Sequence, residues 1–210
     1  MSLAVTEFLD HDAPAVRAYV ERTLGDLDRP PRELAVELYH AIRDGIGYEI
    51  YGADLSRAGL RASSTVAATR GLCLHKSTLY AACARALGLP SRLALVDVRN
   101  HVVSPRLRHF LGSDVVHFHC YAQVELDGGW VSATPVFSRA LCRLYRMAPL
   151  EFGGVLQEND GSRMEVVHRH GTFDDLPYEL VERGLRAAHP NLFAAPARVR
   201  AGSLVAEIAA

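Results

Sequence analysis

Residues 70–90 read RGLCLHKSTLYAACARALGLP and predict one buried helix. Small and apolar residues fill about four turns with few polar interruptions, so most of the helix circumference should be buried. Gly88 stands where a C-cap glycine belongs, and Pro90 prevents continuation. Cys73 lies in the first turn, where unpaired N–H groups and the positive end of the helix dipole favour an anion. A thiolate there would have a lowered pKa and be a nucleophile at neutral pH.

Cys73 also admits a purely structural role, because a small residue lets the start of a helix pack tightly. Taken alone, a single cysteine favours that structural role. A histidine on a neighbouring strand would instead favour catalysis.

The composition is that of a soluble globular protein, with 49% hydrophobic and 22% charged residues in a chain of 210. We expect a single domain over residues 1–210, with a core at about residues 32–137 and the two ends packed on it. The formal net charge is −1 with both signs interspersed, so the sequence indicates no nucleic-acid partner.

The sequence shows neither a membrane-spanning segment nor a secretory signal. There is no apolar run of membrane-spanning length, and the first residues lack a basic segment followed by an apolar one. We therefore expect a cytoplasmic protein with no membrane partner. The four cysteines form no CxxC pair and should be reduced thiols. We expect no cofactor, and the sequence leaves the oligomeric state open.

Two helices are predicted before the cysteine helix. The first begins near Asp12, and the second is capped by Asp28 and ended by Gly45. A short extended piece rich in tyrosine follows and contains Tyr48 and Tyr51. These two rings either line a substrate cleft or cover an edge of the core, and the sequence favours neither.

A strand and a long loop follow the cysteine helix. Residues 91–98 have the apolar and β-branched content of a strand. Residues 100–114 are polar, contain Pro and Gly, and are predicted to be a functional loop.

Two further strand-like runs flank the dipeptide Asp127-Gly128, which is a strong hairpin signal. Alternation along the first run places His117 and His119 on one face and Cys120 on the other. Cys120 is therefore predicted to be a core residue.

The C-terminal segment is less regular. Ser138 is predicted to cap a short helix, and residues 164–168 to form a strand. A last helix opens at residues 176–177 and runs to about Ala188, where Pro190 breaks it. The Ala-rich tail shows no decisive pattern.

Three short sequence motifs carry a more specific signal than the helix and strand patterns. They are GLC at residues 71–73, GLPSR at residues 88–92 and HCYAQVELDGGWVSATP at residues 119–135. In this order they resemble the transglutaminase-like core, whose motifs read G-x-C, G-I-P-A-R and H-A-W-x-E-V-x-L-D-G-x-W-x-x-x-D-P. The resemblance covers about residues 42–137. It implies an α+β fold of papain-like type, with an antiparallel sheet packed on the N-terminal end of the cysteine helix.

The resemblance also implies a Cys-His-Asp triad that performs acyl transfer, with Cys73 as the nucleophile and His119 as the base. The third position departs from the pattern, because Thr134 stands where the family has Asp. A two-residue hairpin turn would make His119 and Thr134 diagonal neighbours, roughly 7 Å apart. Threonine can hydrogen-bond an imidazole, but it does not stabilise an imidazolium as a carboxylate does.

Three explanations for the threonine remain open. Asp97, late in the neighbouring strand, supplies the acid and is our first choice. Alternatively, Thr134 suffices as a neutral orienting group. The third explanation is a loss of catalysis, which leaves a binding module on this scaffold.

The chain also resembles a bacterial subgroup of the family, with HK at residues 75–76, DVRNH at residues 97–101 and ATP at residues 133–135. That match makes the threonine a subgroup feature. His101 and His117 are candidate substrate contacts or solvated residues. His117 and His119, two apart on a strand, also suit zinc, but no second ligand pair has defined spacing, so we expect no metal.

Two hypotheses about function follow. The first is a cysteine acyltransferase or hydrolase that acts on an amide, peptide or thioester through an acyl-Cys73 intermediate. Its substrates would be a peptide, a protein or a small acyl donor with an amine or water as acceptor. The Cys73 N–H would hold the oxyanion, with Tyr48 or Tyr51 as candidate second donors. The second hypothesis is a catalytically silent binding domain.

Overall fold

A computed structural model describes residues 2–101, 104–154 and 164–194. The described helices are α1 (Pro14–Leu24), α2 (Pro31–Gly45), α3 (Ala62–Ala68), α4 (Cys73–Ala86), α5 (Pro105–Leu111), α6 (Arg139–Leu144) and α7 (Tyr178–Ala188), and a 3₁₀ turn spans Pro190–Phe193. The described strands are β1 (Gly47–Tyr48), β2 (Arg70–Gly71), β3 (Ser91–Asn100), β4 (Val115–Leu126), β5 (Gly129–Ala133) and β6 (Met164–Phe173).

The four longer strands form one antiparallel sheet in the order β5-β4-β3-β6. Helix α4 packs on this sheet, chiefly on β4, and also contacts α1, α2 and α3. Strands β1 and β2 form a separate parallel pair directly before α4. The predicted α+β fold, with an antiparallel sheet against the start of the cysteine helix, is confirmed.

Helix α4 is surrounded by the rest of the protein. Its residues from Cys73 to Arg85 are all buried, including the polar Lys76 and Ser77. Gly88 follows the helix with φ 76°, a left-handed conformation that glycine adopts without a steric penalty. The helix and its glycine stop are therefore as the sequence predicts.

Lys76 is a buried cation that closes the end of another helix. Its Nζ donates hydrogen bonds to the carbonyls of Arg43, at 2.9 Å, and Ile46, at 2.7 Å, where α2 ends. Burial lowers the pKa of Lys76 from its ordinary 10.5 to about 7. A neutral amine has two N–H groups, which match these two acceptors, whereas an ammonium would bury a third without a partner among them.

The β4–β5 hairpin has the register that its turn residues predict. Leu126 pairs with Gly129, so Asp127 and Gly128 are the two turn residues, with φ 54° and 78°. Positive φ at both positions is typical of a type I′ turn. The ladder ends with Ala122 opposite Ala133, and continuing it places Tyr121 opposite Thr134.

Strand β4 contains a β-bulge that the sequence pattern does not predict. Val96 pairs with His119 and Val98 with Val116, so His117 and Phe118 together oppose Asp97. Phe118 has φ 55°, an uncommon conformation for a bulky residue. Because two residues oppose one, the simple alternation of faces fails here.

Several boundaries differ from the predictions. The stretch predicted as a loop contains α5, which Ser104 caps by accepting from the Leu107 N–H at 3.1 Å; residues 102–103 lie outside the described residues. Helix α2 is preceded by Pro30, not capped by Asp28. Ser138 caps α6 as predicted. Strand β6 extends beyond the predicted residues 164–168 to Phe173.

The C-terminal segment completes the sheet and the core. Strand β6 pairs with β3 at the edge opposite β5. Val181 and Leu185 of α7 are buried in the same cluster as α4. The tail from residue 195 onward and residues 155–163 lie outside the described part of the chain. Within the described ranges, no helix is long and apolar enough to cross a membrane.

We expect Lys76 to make stability depend on pH. Between about pH 7 and pH 10.5 the unfolded chain holds a proton at this residue that the folded protein does not. Unfolding therefore takes up a proton, and the free energy of unfolding rises with pH in this window, by at most about 1.4 kcal/mol per pH unit. Urea titrations should show this rise in the wild type and its loss in Lys76→Met.

Arg17→Met is the matched control, because it also removes one cation, but from the exposed face of α1. Its pH profile should run parallel to that of the wild type. Parallel profiles for the wild type and Lys76→Met would show that Lys76 is charged in the folded protein throughout.

Candidate active site

The small parallel pair β1–β2 places Tyr48 beside the start of the cysteine helix. Tyr48 pairs with Gly71, two residues before Cys73. A Cβ on Gly71 would lie 2.5 Å from the Cβ of His75, so only glycine allows the chain to approach the first turn of α4 this closely. The close packing of the chain on the first turn of α4 therefore explains the glycine of the G-x-C motif.

Cys120 joins the start of α4 to the sheet through its backbone. Its carbonyl accepts a hydrogen bond from Ser77 Oγ at 2.9 Å, and its N–H stabilises the negative form of the Cys73 sulfur. In an antiparallel strand the N–H and C=O of one residue point to the same side. This peptide N–H belongs to the bond between His119 and Cys120, so the nucleophile lies against the strand that carries the predicted base.

The Cys73 thiol is neutral in the resting protein. Burial raises its pKa to about 11, while the N–H groups of Cys120, Leu74 and Cys73 itself act in the opposite direction. Only 5% of Cys73 is exposed. The prediction of a lowered pKa from the helix N-terminus is wrong, because loss of solvent outweighs the favourable backbone dipoles.

His119 is a buried and neutral imidazole. Burial lowers its pKa to about 4. Its Nε2 is buried without a hydrogen-bond partner among the described residues. A buried polar atom without a partner costs about 1–3 kcal/mol and needs an explanation. If Nε2 is the unprotonated nitrogen of this neutral ring, it can accept a proton from a nearby donor.

Thr134 is held by its backbone, which leaves its hydroxyl for other contacts. Its carbonyl accepts from the Tyr39 hydroxyl at 3.1 Å and from the Val136 N–H at 2.8 Å. The two-residue turn is confirmed, and continuing the ladder by one pair beyond Ala133 makes His119 the diagonal neighbour of Thr134, which is the position that the prediction requires. The Tyr39 hydroxyl has a single proton and also contacts the Leu150 carbonyl, so the Thr134 carbonyl shares this donor.

Asp97 has other partners than the one we expected. Its carboxylate accepts from His117 Nδ1 at 2.9 Å, from His170 Nε2 at 2.6 Å and from the Phe118 N–H at 3.0 Å. Desolvation raises its pKa, but these hydrogen bonds outweigh it, so the pKa of Asp97 is lowered overall. The expectation that Asp97 orients His119 is wrong, because the Phe118 bulge turns a different histidine toward the carboxylate.

The two histidines of the HFH sequence therefore belong to different sites. His117 binds Asp97, and its backbone N–H donates to His189 Nε2 at 3.0 Å. His119 instead lines a cavity. The predicted shared face for these two residues is wrong, and His117 is not among the residues that line the cavity.

Sequence reasoning missed the partners of Asp97. His170 on β6 stacks on the Phe118 ring with centroids 4.2 Å apart, and His189 Nδ1 donates to the Leu111 carbonyl at 2.8 Å. His168 and His170 are two residues apart, a spacing that places both on one face of a strand, and this was the available sequence signal. Its pairing with Asp97 depends on the order of strands in the sheet, which local sequence does not specify.

A largely apolar cavity opens beside His119. Its polar lining consists of Tyr48, Asn100, His119 and Tyr145. The remaining lining is aliphatic, aromatic or sulfur-containing: Ile50, Leu107, Leu111, Val116, Phe137, Leu141, Cys142, Met147 and Met164. Burial, and next the nearby Cys73, raise the pKa of Tyr48 well above its ordinary value. Tyr48 therefore connects the cysteine with the cavity, as a cleft residue would.

Two other predicted substrate contacts lie elsewhere. Tyr51 lines a separate pocket with Tyr178 and Phe193, and its ring packs against Phe110. His101 lies 3.2 Å from Glu165 and does not line the cavity. Both were expected near the substrate, and the structure places neither with His119.

The structure groups no set of three or more His, Cys, Asp or Glu side chains in a metal-binding arrangement within its described residues. His117, which suited zinc by spacing, uses Nδ1 for Asp97.

Comparison with known proteins agrees with this architecture. The sequence profile of the transglutaminase-like superfamily matches residues 17–135, which is more than half of the chain. The chain belongs to the transglutaminase-like superfamily. No functionally curated protein matches the sequence.

Two solved structures align with parts of this chain, and the first of them has a similar fold. A "Putative Cysteine Protease" from Cytophaga hutchinsonii aligns with a TM-score of 0.53 at 17% identity, over 82% of this chain and 46% of the other. A "putative protease" from Parabacteroides distasonis aligns with a TM-score of 0.38 at 10% identity, over 60% of this chain and 25% of the other. The chain thus spans less than half the length of either protein.

We expect the resting Cys73 thiol to resist ionisation below pH 9. Its burial raises the pKa to about 11. The thiolate absorbance near 240 nm, recorded against pH, should show no difference between the wild type and Cys73→Ser at neutral pH. A difference should develop only as the pH approaches 11.

Cys83→Ser is the control, because burial raises the pKa of Cys83 further and its removal should change nothing over the same range. A Cys73-dependent inflection below pH 8 would show a preformed thiolate and contradict the neutral resting state.

We expect Asp97→Ala to damage the fold first. The change leaves His117 Nδ1, His170 Nε2 and the Phe118 N–H without their acceptor. The free energy of unfolding should fall by about 3 kcal/mol, since a broken buried network is costly. Because the pKa of Asp97 is lowered, the wild-type advantage should shrink as the pH falls below about 4.

Asp127→Asn is the control, because it removes an exposed hairpin carboxylate paired with Arg32 while asparagine still suits the positive φ of this turn residue, and the change should cost under about 1 kcal/mol. Unchanged stability of Asp97→Ala, combined with a loss of acyl transfer, would restore the carboxylate to the reaction.

Proposed function

We propose that the protein catalyses acyl transfer or hydrolysis on an amide, peptide or thioester carbonyl through an acyl-Cys73 intermediate. The observation that carries this proposal is the buried Nε2 of His119, which has no partner among the described residues and belongs to the residue directly before Cys120, whose N–H contacts the Cys73 sulfur. In the proposed site this unprotonated nitrogen takes the proton of the Cys73 thiol.

The proposed reaction begins from the neutral pair. The thiol proton moves to His119 Nε2 as the Cys73 sulfur attacks the acyl carbonyl, and a tetrahedral oxyanion forms. His119 then returns the proton to the leaving group, and the C–N or C–S bond of the substrate breaks. Water or an amine next loses its proton to His119 and attacks the thioester, which releases the acyl product and restores the thiol.

Backbone dipoles supply part of the stabilisation in this proposal. The N–H groups of Cys73, Leu74 and Cys120 already favour negative charge at the sulfur. As the thiol loses its proton, these fixed donors need no reorganisation, which makes them effective in a dry site. The Cys73 N–H at the start of α4 is the proposed oxyanion donor, with the Tyr48 hydroxyl beside it.

Thr134 is proposed as the residue that orients His119. Its backbone is fixed by Tyr39, and its hydroxyl belongs to the diagonal neighbour of the imidazole. A hydroxyl holds a ring in place without adding charge. Cysteine enzymes with a neutral third residue show that this is chemically sufficient.

A catalytically silent binding domain is the second candidate function. The raised pKa of Cys73 and the absence of a carboxylate hydrogen bond to His119 among the described residues favour it. In that case Cys73 and His119 would serve packing alone, and the cavity would bind a ligand without reacting.

One experiment separates the two candidates. The protein is mixed with p-nitrophenyl acetate, and the acetyl group is located by peptide mass spectrometry while nitrophenolate release is followed. We expect a burst of nitrophenolate with the acetyl group on Cys73. Cys73→Ser should abolish the acylation, and His119→Ala should slow it by about 10² or more.

Cys142→Ser is the matched control, because Cys142 is a buried thiol that lines the same cavity. It should acylate like the wild type. Thr134→Val should slow acylation, whereas Thr134→Ser keeps the hydroxyl and should retain it. No acetyl group on Cys73, or equal labelling of Cys73 and Cys142, would leave the silent binding domain as the function.

A further inference from the structure

The cavity beside His119 is distinguished by its lack of charge. No Lys, Arg, Asp or Glu side chain is among the described residues that line it. Its apolar wall includes Leu107 of α5 and, from the stretch around α6, Phe137, Leu141 and Met147, so two separate parts of the chain supply these residues. Apolar pockets with a few convergent polar groups are typical of sites for small molecules.

The cavity borders His119 directly and Cys73 through Tyr48, and Cys73 itself is not among its described lining residues. His119 forms part of its wall, and Tyr48 lies both in the wall and near the Cys73 sulfur. A substrate whose carbonyl lies at Cys73 can therefore extend the rest of its acyl group into this space. The identity of the wall then sets which acyl groups are accepted.

We propose that the acyl donor carries an uncharged hydrophobic acyl group, aromatic or branched aliphatic, which binds in this cavity. The proposal rests on the proposed acyl-Cys73 reaction and adds its substrate class. A carboxylate or ammonium on the acyl group would be buried with no opposite charge in the described lining, which disfavours its binding strongly.

A series of p-nitrophenyl esters tests this specificity, because the leaving group stays the same while the acyl group changes. Acetyl, butyryl, isovaleryl and phenylacetyl esters are compared with the negatively charged succinyl ester. The rate constant for acylation of Cys73 should rise about fourfold for each buried methylene and fall below the acetyl value for succinyl. Equal rates along the series would overturn the proposal and leave the acyl-Cys73 reaction standing.

A pair of variants at Met147 locates the preference in the cavity. Met147 lines the cavity and is only half-buried, so a charge there should be tolerated by the fold. Met147→Glu should lower the ratio of phenylacetyl to acetyl transfer at least tenfold, whatever its effect on acetyl transfer itself. Met147→Leu, which keeps the wall apolar, should keep the wild-type ratio. An unchanged phenylacetyl preference in Met147→Glu would place the acyl group outside the cavity.

A binding measurement keeps the test decisive if no ester acylates Cys73. In Cys73→Ala the nucleophile is absent, so phenylacetamide and succinamate act as simple ligands. Phenylacetamide should raise the melting temperature, succinamate should not, and Met147→Glu in the same background should remove the shift. Binding without acylation would reject the proposed reaction and retain the cavity's hydrophobic preference. Absence of any shift together with uniform ester rates would reject the preference itself.

Discussion

The contact between the first turn of α4 and the peptide of Cys120 is the constraint on which the site depends. Strand β5 pairs with β4 only as far as Ala122, so the backbone of Cys120 has no strand partner on that side. Ser77 donates to its carbonyl, and its N–H points to the Cys73 sulfur. Cys73 and Ser77 lie one helical turn apart on α4, so their two contacts with Cys120 fix both the position of the helix and its rotation about its own axis. Shortening β5 thus creates the place where the nucleophile meets the sheet.

That contact has an electrostatic consequence. Docking the helix start on the sheet removes solvent from Cys73 and His119 together, which raises the pKa of the thiol to about 11 and lowers that of the imidazole to about 4. Both shifts favour the neutral pair. At low dielectric a thiolate and an imidazolium attract each other more strongly than in water, but only when the two charges are adjacent. The resting site therefore holds no ion pair, which in the proposed reaction leaves proton transfer to the step in which the sulfur attacks.

The sequence predicts the parts of this arrangement that are encoded locally. The buried helix with its glycine stop, the turn at Asp127-Gly128 and hence the position of Thr134 all follow from residue type and spacing. The bulge at Phe118 does not, because a bulky residue with positive φ is held there by tertiary contacts. Gly184 of α7 is one of them, since a Cβ at that position would lie 2.0 Å from the Phe118 ring. Asp97 was assigned to the wrong histidine for this reason, and α5 was hidden in a polar stretch.

None of the described carboxylates bonds to His119, which is consistent with the burial of the site. An aspartate at the position of Thr134 would add a buried charge next to an imidazole that is neutral at rest, and it would need its own hydrogen bonds. With threonine, the imidazolium of the proposed reaction would have the negative charge at Cys73 as its main partner. This attraction is strongest when water is excluded. In the proposed reaction, an acyl group that fills the apolar cavity would exclude water next to His119, so that substrate recognition and stabilisation of the charged pair would be one event.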